Sequence, residues 1–167
     1  MPLDDVTFWI VFIHVASAFV FAAGHGVSVI AAFRLRRERE RSRVAALLDV
    51  SELSGWVALV GVLGLLVSGI VAGILLGSFE RGWIWVSLAL LIAIGVAMTP
   101  LGAGYFNRVR HAVGVRTRAI KKDQPDPVPV SEEELALVLD NRRPELLLLI
   151  GGGGFMVILW LMMFRPF

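Results

Sequence analysis

Residues 8–33 contain no charged side chain, and the run ends abruptly at Arg34. As a helix rising ~1.5 Å per residue, the run is long enough to cross a ~30 Å hydrocarbon core. Within it lie two histidines, His14 and His25. An imidazole is costly in lipid, so it usually faces a bundle interior and marks a functional position. At 100° per residue, His14, Ser17, Phe21, His25, Ser28 and Ala32 fall on one narrow stripe, while the other faces carry Val, Ile, Phe and Ala. The helix therefore has one greasy side for lipid and one polar, small-residue side for another partner.

With 57% hydrophobic residues, the chain of 167 is expected to be one membrane unit rather than a soluble domain. It has no cysteine, which excludes disulfides, thiolate metal sites and cysteine nucleophiles. Of its 16 lysines and arginines, 14 lie in two blocks, residues 34–43 and 108–143. These blocks follow the first and third apolar segments, so they share one side of the membrane. The positive-inside rule makes that side cytoplasmic and puts both termini outside. The acidic start at Asp4 and Asp5 argues against a signal peptide. Since the basic blocks flank spans and mix with glutamates, they are read as topology and lipid-headgroup contacts, not as a nucleic-acid surface.

The reading is an all-α polytopic membrane protein, a four-helix bundle in a bacterial inner membrane. Its spans are placed at about residues 8–33, 56–76, 83–106 and 146–164. Residues 34–52 read as a helical continuation with Arg34–Glu38 and Arg36–Glu40 pairs. In the second span Gly69, Gly73 and Gly77 recur every four residues, and Gly61 with Gly64 adds a further notch. Such a ridge allows close helix packing, within the bundle or as a homodimer. Trp83 and Trp85 read as interfacial belt residues, and Pro100 as a kink in the third span. The inner connection, 107–145, combines a basic stretch, a proline-rich linker and a capping box, Ser131 to Glu134, that opens a short amphipathic helix. The glycine run 151–154 is expected to bring close packing or a local irregularity to the fourth span.

No carboxylate pair lies within the spans, no Ser-His-Asp spacing is present, and the glycine run lacks the Lys-Ser/Thr of a phosphate loop. Hydrolase and nucleotide chemistry are not expected. His14 and His25 are ~16 Å apart along the helix, so they cannot share one metal. Matching depths across the spans pairs His25 with Met98 and His14 with Met162. Haem iron takes His/Met ligation, and copper(I) takes imidazole and thioether. The alternative is that both histidines are neutral and bonded to hydroxyls or carbonyls, with the methionines filling gaps.

The stretch from Ile13 to Ala18 (Ile-His-Val-Ala-Ser-Ala), the arginine-rich exit at 34–37, Leu-Val-Ser-Gly at 66–69 and the ending from Glu145 through Met162, Met163 and Pro166 together resemble a bacterial family of predicted integral membrane proteins of unknown function. That family looks like a relative of the copper-resistance D membrane domain and of HemJ-type protoporphyrinogen oxidase. The HemJ resemblance implies haem or porphyrin binding near His14. HemJ-type proteins also use a lysine in a later membrane helix. No span here contains one, so oxidase activity is not expected to carry over. The expectation is a haem b or porphyrin site built from His14, His25, Met98, Ser17 and Ser28. Copper at His14, Met162 and Met163 is the second reading, and a non-catalytic accessory subunit the third.

Overall fold

The computed structural model describes residues 5–116 and 127–167. Helix α1 (Asp5–Arg37) is followed by α2 (Arg41–Leu75), a single 3-10 turn (Ser78–Glu80) and α3 (Gly82–Met98). A π-helical turn (Thr99–Ala103) joins α3 to α4 (Gly104–Ala112). After the linker come α5 (Glu132–Leu139), α6 (Arg143–Leu146), a second π-helical stretch (Leu147–Gly153) and α7 (Gly154–Phe164). Four helical runs, Asp5–Arg37, Arg41–Leu75, Gly82–Ala112 and Glu132–Phe164, are long and apolar enough to cross a membrane. The protein is an all-α four-helix membrane bundle. An even number of spans puts both chain ends on one side, opposite the arginine-rich connections.

The first two spans form a tight antiparallel pair along their whole length, and the other close pair is α3 with α7. The two pairs meet chiefly toward the arginine-rich end, where α1 packs on α6 and the second π stretch and α2 packs on α4. Tyr105, Leu35, Leu48, Val44, Val109, Leu135 and Leu139 make the most buried apolar core, also at that end. This placement follows from the solvent. In lipid an apolar side chain gains little by burial, whereas at the aqueous end burial drives packing. In α5, Leu135 and Leu139 (one turn apart) enter the core, while Leu137 remains 77% exposed.

Helix boundaries depart from the sequence reading in two places. The link between the first two spans is helical from Arg41 onward, as expected for residues 34–52, but it is interrupted by a sharp corner at residues 38–40. The corner takes Glu38 and Glu40 off the helix, so neither expected pair forms. Arg36 instead bridges to Asp140 (3.5 Å) and Glu145, and Arg43 bridges to Glu40 (2.7 Å). The Glu38 carboxylate accepts the backbone N–H groups of Arg39 (2.9 Å) and Glu40 (3.1 Å). Donation from the Glu40 and Arg39 amides, aided by Arg43 and Arg39, holds its carboxyl below the usual range. The third span continues as helix to Ala112. The basic stretch beyond Arg116 and the first linker proline lie outside the described residues.

The N-cap bond of the expected capping box forms. The Ser131 hydroxyl accepts the Glu134 N–H at 3.2 Å. Ser131→Ala should loosen α5 by ~1 kcal/mol, read as faster amide exchange at Glu134 and Leu135. Trp85 is 55% exposed, as a belt residue is, and donates its indole N–H to the Phe79 carbonyl at 3.0 Å. Trp83 differs. It is 5% exposed, its backbone N–H donates to the Phe167 carbonyl, and the Arg165 guanidinium lies over its ring.

Proline and glycine produce the two irregular stretches. Pro100 sits inside the first, where Thr99 returns its hydroxyl to the Gly95 carbonyl and Arg143 donates to the Pro100 carbonyl at 2.7 Å. The second opens the glycine run, and the two lie side by side. A Cβ on Gly102 would touch Leu147 at 3.4 Å, and one on Gly154 would meet Ile94. The third and fourth spans are therefore both irregular, and the stretch in the fourth lies against His25.

Candidate functional site

His14, Ser17 and Ser28 of the polar stripe face α2. Where it passes, α2 presents small residues. Cβ atoms added at Gly61 and Gly64 would strike the Phe21 backbone and the Ser17 hydroxyl, and one at Gly69 would lie 2.9 Å from His14 Cε1. The relation is mutual at Gly24, where an added Cβ would lie 2.5 Å from the Ala58 nitrogen and 2.7 Å from the Ser54 carbonyl. Two backbones in contact leave no room for an ordinary side chain, which is how helices associate closely in lipid.

His14 is half-buried in this seam, with its Nδ1 3.1 Å from the Ser68 hydroxyl. The Ser68 hydroxyl in turn donates to the Gly64 carbonyl. A carbonyl only accepts, so the serine proton is committed, and its oxygen must accept the Nδ1–H of His14. The imidazole is thereby held as the Nδ1–H tautomer, with Nε2 carrying the lone pair. The ring also interacts with the Leu65 carbonyl.

His25 faces the other way, toward the fourth span. An added Cβ on Gly151 would lie 2.5 Å from its Nε2, so the imidazole fills the notch left by that glycine. Its ring stacks on Phe21 (5.6 Å between centroids, 10° between planes), and Phe21 packs on Phe155 at 5.1 Å. The ring interacts with the Leu147 carbonyl, and Nε2 is buried without a partner.

The serines of the stripe are engaged in the same seam. Ser17 faces Gly64, and the Ser28 and Ser54 hydroxyls are 2.7 Å apart. Ser54 and Ser51 return their protons to the carbonyls of Ser51 and Leu48, at 3.0 and 2.8 Å. The Leu48 carbonyl also accepts from the buried Arg110 guanidinium at 2.6 Å, which bridges to Glu52 at 3.2 Å. A polar seam thus runs along the inner half of the α1–α2 pair. Sequence reasoning missed its α2 members. A serine in a spanning helix commonly returns its hydroxyl to its own backbone, as Ser68 does, so nothing in the sequence points to its contact with His14, and Ser51 and Ser54 carry no signal beyond helical spacing.

The methionines are placed differently from the histidines. Met98 packs against the inner apolar core. Met162 is half-buried near the end of α7, while Met163 is 73% exposed to the lipid side. Gly151 packs directly on His25, whereas Met98, the expected partner, is placed against the inner core. Among the described residues no group of three His, Cys, Asp or Glu side chains converges on a metal position. The third histidine, His111, is exposed on α4.

A family model described as "Predicted integral membrane protein (DUF2269)" matches residues 8–166, nearly the whole chain. No curated protein and no solved structure matches.

Proposed function

The chain belongs to this family of predicted integral membrane proteins, and on that premise we propose that it holds a b-type haem or related porphyrin through His14. The observation that carries the reading is the relay from His14 Nδ1 through Ser68 to the Gly64 carbonyl. A metal-ligating histidine characteristically gives its second ring N–H to a fixed acceptor, which sets the tautomer and orients the ring. His14 has that arrangement, with Nε2 left for the iron. A bound haem would supply a redox-active iron centre. The chain's own residues would orient its axial ligand and exclude water from it. The resemblance of the motif around His14 to HemJ-type and copper-resistance D proteins points to the same residue.

His25 does not fit a haem in this packing, because Gly151 closes on its Nε2. It reads as a helix-docking residue, which narrows the site to the end of the bundle away from the arginines. Homodimerisation through Gly69, Gly73 and Gly77 is the weaker reading of the glycine ridge. Gly69 is filled by His14, Gly73 faces Phe79 and Ile84, and Gly77 adopts a left-handed turn at φ +60°.

The test is an absorption spectrum of purified protein before and after haem reconstitution. Wild type and His25→Ala should show a Soret band, and His14→Ala should lose it. Ser68→Ala should bind haem at least ~10-fold more weakly, as loss of an outer-shell partner does. No Soret band in reconstituted wild type, or an undiminished one in His14→Ala, would overturn the reading. Copper retained by wild type but not by His14→Ala, with no Soret band, would favour copper handling instead.

A further inference from the structure

The corner between α1 and α2 carries six arginines within ten residues, at 34, 36, 37, 39, 41 and 43. Their partners divide them into two groups. Arg36 is neutralised by Asp140 and Glu145, Arg43 by Glu40, and Arg41 donates to the Val130 carbonyl. Arg39 donates to the carbonyls of Arg36 and Glu38 at 3.0 and 2.8 Å. Arg34 and Arg37 are exposed, and among the described residues neither has a carboxylate partner. They lie three apart on one face of the last turn of α1.

Both line a surface cleft of 450 Å³ with Glu38, Arg43, Ala46, Leu47 and Val50. Arg43 and Glu38 are already engaged there, by the Glu40 side chain and by backbone amides. What remains is a pair of unpaired guanidinium groups beside an apolar strip on α2. The strip continues along that helix, where Val50 is 48% and Leu53 70% exposed. Depth matters here as well. Arg34 is the first charge after residues 8–33, so the cleft sits where hydrocarbon gives way to headgroups. A soluble anion would satisfy the arginines but not the apolar strip. A surface-bound peptide would compete with the lipid that must cover Leu53.

We propose that this cleft seats an anionic phospholipid, its phosphate held between Arg34 and Arg37 and its acyl chain laid along Leu47, Val50 and Leu53. The ligand class is a phosphodiester headgroup with net negative charge, such as phosphatidylglycerol. Guanidinium groups suit it because their planar donors match phosphate oxygens in pairs.

Native mass spectrometry of the full chain in detergent tests the assignment, with phosphatidylglycerol, phosphatidylcholine and inorganic phosphate as separate probes. Wild type should retain phosphatidylglycerol in preference to phosphatidylcholine. Arg34→Gln/Arg37→Gln should weaken phosphatidylglycerol binding roughly thirtyfold, since each arginine near a lipid surface is worth about a factor of five. Arg108→Gln/Arg142→Gln removes the same charge from the same side and should leave binding within about twofold. Leu47→Ala/Val50→Ala should weaken the lipid and leave inorganic phosphate unaffected. Equal losses in the two arginine doubles would mean general surface charge, and tight phosphate binding with no lipid preference would mean a soluble anion. Either result overturns the proposal, as does wild type that does not distinguish the two lipids.

Discussion

Gly61→Leu is expected to be the most damaging single substitution in the protein, abolishing the α1–α2 pair and with it the folded bundle. An added Cβ would lie 2.6 Å from the Phe21 Cα and closer still to its nitrogen. Neither atom can rotate away, so the two helices must separate along their axes. Overpacking a core with flexible side chains costs ~1–3 kcal/mol. Backbone against backbone has no such relaxation, and the expected loss lies at or beyond the top of that range. Gly24→Leu should behave alike, because it meets the Ala58 nitrogen and the Ser54 carbonyl. Gly55→Leu and Gly95→Leu provide the contrast, since an added Cβ at either meets nothing within 4 Å. Thermal unfolding in detergent should show Gly95→Leu within a few degrees of wild type and no cooperative transition for Gly61→Leu. Equal midpoints for the two would mean that α1 and α2 are not in backbone contact.

The same glycines show how far the sequence is legible. The stripe on α1 is readable because all six of its members face packed neighbours and helical period alone aligns them. On α2 the notch at Gly61 and Gly64 is readable as a packing surface, but the four-residue ridge only partly shares its face. A spacing of four residues drifts ~40° per step around a helix. Gly69 therefore faces His14 while Gly73 has turned toward Phe79 and Ile84. The true docking ridge, Ser54, Ala58, Gly61, Gly64 and Ser68, mixes three- and four-residue steps and two serines. It has no period that a glycine count would reveal. Likewise, the chain between spans one and two reads as continuous helix on propensity. Its break is held by side chains turned back on the backbone, Glu38 accepting the Arg39 and Glu40 amides and Arg39 donating to the Arg36 and Glu38 carbonyls, which helical propensity does not reveal.

At the candidate site, residue types were legible and pairings were not. Two histidines in an apolar run announce themselves by their cost in lipid. Which neighbour offsets that cost depends on side chains reached only through the packing of other helices. For His14 that neighbour is a serine hydroxyl, as the plainest expectation had it, but the Gly64 carbonyl behind the serine fixes the tautomer. For His25 it is the absence of a side chain. A methionine at matched depth is visible in the sequence, whereas a glycine notch shaped to an imidazole is visible only once the fourth span is in place.

That notch gives the second large effect. Gly151→Val should dislodge His25, because an added Cβ alone would lie 2.5 Å from Nε2 and nearer to Cε1. The imidazole has nowhere to go: Phe21 stacks on its face at 5.6 Å, and Phe21 is itself packed on Phe155. The expected destabilisation is ~2–3 kcal/mol, the upper half of the usual overpacking range. In a His25→Ala background the valine enters space that the ring has vacated, so Gly151→Val should then cost well under ~1 kcal/mol. The difference is a coupling energy of ~1.5–2 kcal/mol between two residues in direct contact, within the span that double-mutant cycles report for neighbours. His25→Ala alone should be mildly destabilising, since it empties the notch but also removes a buried, unpartnered Nε2. Unfolding free energies for the four members of the cycle in one detergent decide the matter. Additive costs would mean that His25 does not occupy the Gly151 notch, and would return its lone pair to consideration as a ligand.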